Sequence, residues 1–369
     1  MISRPLRPGA RLVGLLLAVL AAGAGAGVSA THGTQAADAA TPTRAQMVGQ
    51  RLMVSMSGRR PDAALLARIR AGQVGGIILF GANIVDQTQL TKLTHRLQAA
   101  AAAGGRPPLL IATDQEGGLV RRLGWAPPTR SAEEMGALSP DSVRHIGRRA
   151  GQALAAAGVN FDLAPVADIP RSSTNFIGLQ HRAFSTNRYV VADDVSAFAK
   201  GLERAGVLPA VKHFPGLGRA GATSTDDAVV RIDATTAQIT SGLLPYRVAI
   251  DRSVHPVIML STAVYPAFAP KAAAWSTAIG TRLLRTTLGF KGVTITDSLT
   301  SAAAVRGTTP GVLAVRCAVH GDDVLLVTGS ESATQQAYQA VLAAARSGQI
   351  PMSNLKTSYA RIVKLKSRL

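Results

Sequence analysis

The chain has a single cysteine, Cys317, in 369 residues. No disulfide can form within it, so stability must come from packing a chain that is 47% hydrophobic. Cys317 lies in the apolar helical stretch Ala314 to Val319 and reads as buried filler rather than as a nucleophile. Acidic residues are scarce, 21 Asp and Glu against 40 Lys and Arg, for a formal charge of +19. Aromatics are scarce as well, at 4%. With the basic residues dispersed and no nucleic-acid motif in sight, nucleic acid is not the expected partner. Anionic cell-envelope polymers suit such a surface, with high salt expected to release the protein from them. Mere solubility is the plainer use of the charge. The seven histidines are scattered, without a pair at ligand spacing, so no metal is expected.

The run Leu12 to Val28 follows Arg4, Arg7 and Arg11 and ends in Val28-Ser29-Ala30. Basic start, apolar middle and small-residue end make residues 1–30 a secretory signal. The run lacks stop-transfer flanks and no cysteine lies near the cleavage point, so secretion or wall association is expected, without a stable membrane anchor. Residues 31–44 have no periodicity and are expected to be a flexible spacer. Residues 45–369 are expected to form one domain, and the protein a monomer.

Beyond that point short apolar runs alternate with longer helical stretches, the pattern of repeated βα units. Strands are expected at 51–55, 74–80, 109–114, 161–168, 209–213, 256–261, 292–297 and 323–328. Helices are expected at 87–103, 140–157, 190–205, 234–252, 276–288, 313–319 and 334–347. Eight strands in this alternation favour an α/β fold of the (β/α)8 TIM-type barrel over an open sheet.

Several strands end in polar residues: Asp114, Asp168, Lys212 with His213, Ser261 and Asp297. In a parallel barrel those ends converge on one face, which carries the site. Asp114 opens Asp114-Gln115-Glu116-Gly117-Gly118, whose glycines allow a tight turn, with Arg121 and Arg122 close behind. A carboxylate and a guanidinium on one small space suit neighbouring hydroxyls, although an ordinary ion pair would explain them too. Lys212 and His213 stand side by side, so one is expected to reach the mouth and the other to steady a loop or a second substrate group. Asp297 closes a β-rich run and suits attack on an anomeric carbon.

Val74 to Gly81, Asp114 to Gly118, Lys212 to Gly216, Leu244 to Arg247, Ile295 to Leu299 and the closing stretch Ile350 to Leu369 occur in the order found in a known family. Together they resemble the N-terminal catalytic barrel of glycoside hydrolase family 3, above all its bacterial β-N-acetylglucosaminidases. The resemblance implies a cofactor-free retaining exo-glycosidase acting on a small glycan such as a peptidoglycan fragment. It makes Asp297 the nucleophile and Asp114, Arg122, Arg182, Lys212 and His213 the sugar-binding residues.

One motif departs from that pattern. The acetylglucosaminidase branch has a second His after Lys-His-Phe-Pro-Gly and then an Asp-x-His pair whose His is the general acid and base. Here Leu217 takes the first position and no His follows before His255. An ungapped register puts Asp227 in place of the missing His, whereas a one-residue insertion aligns Asp226 with the Asp of the pair. Either carboxylate is a candidate acid and base. A binder that has lost turnover, a glycosidase of different specificity and transfer to phosphate stay open as alternatives.

Overall fold

The computed structural model describes residues 41–252 and 255–369. The expected secretory signal, and the spacer as far as residue 40, lie outside the described residues. Thr43 caps a helix at Arg44–Gln50 through a capping box with Gln46. Regular structure therefore begins at the last residue expected to be spacer.

Eight parallel strands follow: β1 Leu52–Ser55, β2 Gly76–Ile78, β3 Leu110–Thr113, β4 Phe161–Asp162, β5 Leu208–Phe214, β6 Val257–Leu260, β7 Thr294–Thr296 and β8 Leu325–Val327. Strand β1 pairs with both β2 and β8. Ile295 bridges Val324, with Val324 N–H donating to Thr294 O at 2.9 Å and Thr296 N–H to Val324 O at 3.0 Å. The sheet thus closes on itself as a (β/α)8 barrel.

Alternation along the strands decides what fills it. Met53, Ile78, Ala112, Ala210, Met259, Ile295 and Leu326 form the cluster inside the barrel. Their neighbours Val54, Ile77, Ile111, Ile258 and Val327 face the layer of helices. Ile362 and Leu365, on the last helix Met352–Lys366, join the inner cluster. The same helix carries buried Lys366, whose Nζ donates to Gln50 Oε1 at 2.6 Å and Gly75 O at 2.7 Å, next to the start of β1 and β2.

Several helical details differ from expectation, among them the helices Leu299–Ala304 and Met352–Lys366, which were not expected. Ala63–Arg70 is a helix, capped by Asp62, where none was expected. The stretch 234–252 is two helices, Thr236–Ser241 and Leu244–Asp251, separated at Gly242. Pro245 sits in the first turn of the second, where its missing N–H would have had no partner anyway. Thr277–Thr287 is wound as a π-helix. Among the described residues no helix is long and apolar enough to cross a membrane.

The long connection after β4 is pinned to the one after β5. Arg171 N–H donates to Gly218 O at 2.9 Å, Phe176 N–H to Gly221 O at 2.9 Å, and Asn175 Nδ2 to Gly218 O at 2.7 Å. These bonds fix the path of the loop that goes on to Asp226 and Asp227.

Candidate active site

Extending the seven inward residues by two positions reaches Phe80, Asp114, Lys212, Asp297 and Thr328, which all line one cavity of about 420 Å³, and Ser55 and Ser261, which do not. The pleat therefore aims the first five at the mouth. Arg122, Arg182, His213, Asp226 and Asp227 line the same cavity, so all eight candidate site residues meet there. Ser261 does not: it is buried below, its Oγ accepting from Ala263 N–H at 3.0 Å. A second concavity, of about 320 Å³ between Pro256, Gly292 and the last helix, contains none of the eight.

One wall is an ion-paired quartet. Lys212 Nζ lies 2.7 Å from Asp114 Oδ1 and 2.6 Å from Glu116 Oε1. Arg182 grips Glu116 through two bonds of 2.8 Å. Burial alone would raise the Glu116 carboxyl, but Arg182 and Lys212 outweigh it and hold it well below the carboxylate range. Burial likewise opposes the Lys212 ammonium, yet Asp114 and Glu116 keep it above its usual value. Buried Lys212 and part-buried Arg182 thus stay charged beside buried Glu116 and part-buried Asp114, giving the wall donors and acceptors at fixed angles. Asp114 pairs with Lys212 rather than with Arg122, whose buried Nε has no partner among the described residues.

Glu116 holds both cations, yet it passed as part of a turn motif in the sequence. Its spacing of two from Asp114 was the available signal. The glycines after it serve the backbone: Gly117 has φ +106, and a Cβ there would lie 2.2 Å from Arg130 O. They shape the Gln115–Gly117 and Val120–Arg121 hairpin rather than an approach to ligand.

His213 and Lys212 were expected to part company, but both line the cavity. The pairing of β5 with β6 shifts register between Val211 and Phe214, which breaks strict alternation there. His213 Nδ1 is 2.7 Å from Asp168 Oδ2, and Asp168 Oδ1 accepts from Leu217 N–H at 2.6 Å. Asp168, fully buried, therefore orients the imidazole and leaves its Nε2 for a substrate.

Asp297 is half-buried, accepts from Ser298 N–H at 2.7 Å and has no ion-pair partner among the described residues. Asp226 lines the same cavity. Partial burial, and then the Asp297 charge, raise the Asp226 carboxyl above its ordinary value, with the Ser301 hydroxyl and His213 pulling the other way.

Carboxylates facing a polar cavity at the carboxyl end of a closed (β/α)8 barrel are an arrangement that glycosidase chemistry can use. Residues 44–365 match the N-terminal domain of glycosyl hydrolase family 3, and the chain belongs to that family. It is 38% identical to an uncharacterized secreted glycosyl hydrolase of Arthroderma benhamiae, over 88% of this chain and 94% of the relative. It is 34% identical to a β-hexosaminidase of Nitrosomonas eutropha, over 69% of this chain and 73% of the relative. The crystal structure of a β-N-acetylhexosaminidase from Beutenbergia cavernae superposes with a TM-score of 0.81 at 34% identity, covering 89% of this chain and 99% of that one. The protein is a glycoside hydrolase of the β-N-acetylhexosaminidase-like kind.

Proposed function

We propose that the protein is an exported, retaining exo-glycosidase that hydrolyses terminal β-linked N-acetylglucosamine from peptidoglycan fragments or related glycans. The observation that carries this reading is Asp297, directed into the cavity, free of a neutralising cation among the described residues and joined there by a carboxyl held in its protonated form more readily than usual. Asp297 attacks the anomeric carbon while Asp226 gives its proton to the departing oxygen, leaving a glycosyl ester on Asp297. Water, losing its proton to Asp226, then breaks that ester and releases the sugar. Asp114 accepts from sugar hydroxyls; Arg122, Arg182, Lys212 and His213 donate to them.

Release of 4-nitrophenol from its N-acetylglucosaminide tests the assignment. Asp297→Asn is expected to lose more than about a thousandfold in rate, and equal rates in the two proteins would sink the reading. A second reading, a glycan binder without turnover, is favoured by one observation, the absent His of the Asp-x-His pair. Calorimetry showing N-acetylglucosamine binding with no cleavage over long incubation would select it. Product analysis with other nitrophenyl sugars, and with added phosphate, separates hydrolysis from different sugar specificity and from phosphorolysis.

A further inference from the structure

A further concavity opens between the connections that follow β1 and β2. Its volume is about 420 Å³, and its lining includes Arg59, Arg60, Lys92 and Arg96. Among the described residues none of these four cations is paired with a carboxylate. The one acid in the lining, Asp86, has its Oδ1 engaged at 2.7 Å by Gln89 N–H as the cap of helix Gln87–Ala103. Four exposed cations against one acid leave the hollow net positive, an arrangement that suits an anion.

The hollow is held in shape by buried amides. Asn83, 2% exposed, donates to Met56 O at 3.0 Å and Gly58 O at 2.6 Å, fixing the loop that presents Arg59 and Arg60. Its Oδ1 accepts from Phe80 N–H at 2.9 Å, and Phe80 lines the catalytic cavity. Gln89 donates to Arg59 O at 3.0 Å and Asn83 O at 3.1 Å. Thr88, Lys92 and Arg96 follow at four-residue intervals, so they share one face of that helix. The cationic hollow and the mouth are therefore joined through one rigid loop.

We propose that this hollow binds phosphodiester groups of a sugar or polyol polymer and so docks the enzyme alongside the glycan it trims. Three of the four cations are arginines, whose planar fork pairs with phosphate oxygens through two parallel bonds. Nucleic acid is disfavoured because the lining has no aromatic ring on which a base could stack; its apolar members are Pro61 and Leu93. The site stands apart from the hydrolytic residues, and so does its test.

The test is binding to immobilised poly(glycerol phosphate), with polygalacturonate and duplex DNA as competitors. Lys92→Ala/Arg96→Ala is expected to bind about tenfold more weakly than wild type at low ionic strength. Arg282→Ala/Arg316→Ala removes the same charge from exposed residues outside the hollow and is expected to bind within about twofold of wild type. Equal losses in the two double variants would show diffuse attraction and overturn the site. Tighter binding of polygalacturonate or of DNA than of poly(glycerol phosphate) by wild type would overturn the ligand. Rates on the small nitrophenyl substrate, and thermal melts, are expected to be unchanged in both variants, so a failure here is distinguishable from failure of the glycosidase reading.

Discussion

Asp226 and Asp227 are adjacent in sequence, and the charge of Asp297 helps to raise the Asp226 carboxyl. Asp226→Asn is therefore expected to lose about 10²- to 10⁴-fold on a disaccharide, whose leaving group needs a proton. The loss on the nitrophenyl substrate is expected to be much smaller, and Asp227→Asn to be mild on both. Parallel kinetics of the two variants check this, and a larger loss in Asp227→Asn would reverse the assignment. Glu116→Gln tests the quartet. It leaves Arg182 and Lys212 buried with one carboxylate fewer, and stability is expected to fall by about 3 to 5 kcal/mol. Urea unfolding measures it. A change below about 0.5 kcal/mol, the usual range for surface positions, would show that solvent already compensates these charges.

At the scale of elements, the last helix inserts Ile362 and Leu365 into the cluster inside the barrel. Ile362 is fully buried, so Ile362→Ala leaves a void and is expected to cost about 2 to 5 kcal/mol. Val312→Ala, at a position 42% exposed, is the control and is expected to change stability by less than about 0.5 kcal/mol. A small effect at Ile362 in the same melts would mean that the helix merely lies against the barrel. The strands needed no such test to be found: β1 forms at Leu52–Ser55, within the expected 51–55, with β2 and β8 flanking it.

For the whole molecule, two buried groups set opposing pH trends. Burial pushes the Asp162 carboxyl from its ordinary 3.8 up to about 8, despite a bond of 2.9 Å from Gln115 N–H and the nearby Lys212. The folded state therefore binds the extra proton between those values, and stability declines as pH rises from about 4 to about 8. Burial lowers Lys366 from 10.5 to about 7. Between those values the unfolded state holds the extra proton, so stability rises with pH from about 7 to about 10. A minimum near neutrality is the expected result of urea unfolding at pH 5, 7.5 and 10. Asp162→Asn is expected to flatten the acid limb and Lys366→Met the alkaline one. Limbs unchanged in the variants would assign the trends to other groups.

Period-two alternation and strand-end polarity are local properties, so the sequence alone determined the barrel, its eight strands and the convergence of Asp114, Lys212 and Asp297. The motif order was legible for the same reason, since the motifs at Asp114, Lys212 and Asp297 each occupy one strand end and the turn after it. Tertiary structure alone decided the rest. Glu116 becomes the partner of Lys212 and Arg182 across separations of 96 and 66 residues, read from the numbering. Asp168 orients His213, and Asp226 and Asp227 join Asp297 in one cavity. Charges that far apart along the chain have no fixed relation until closure of the barrel brings their loops to one mouth, where burial makes each depend on its neighbours.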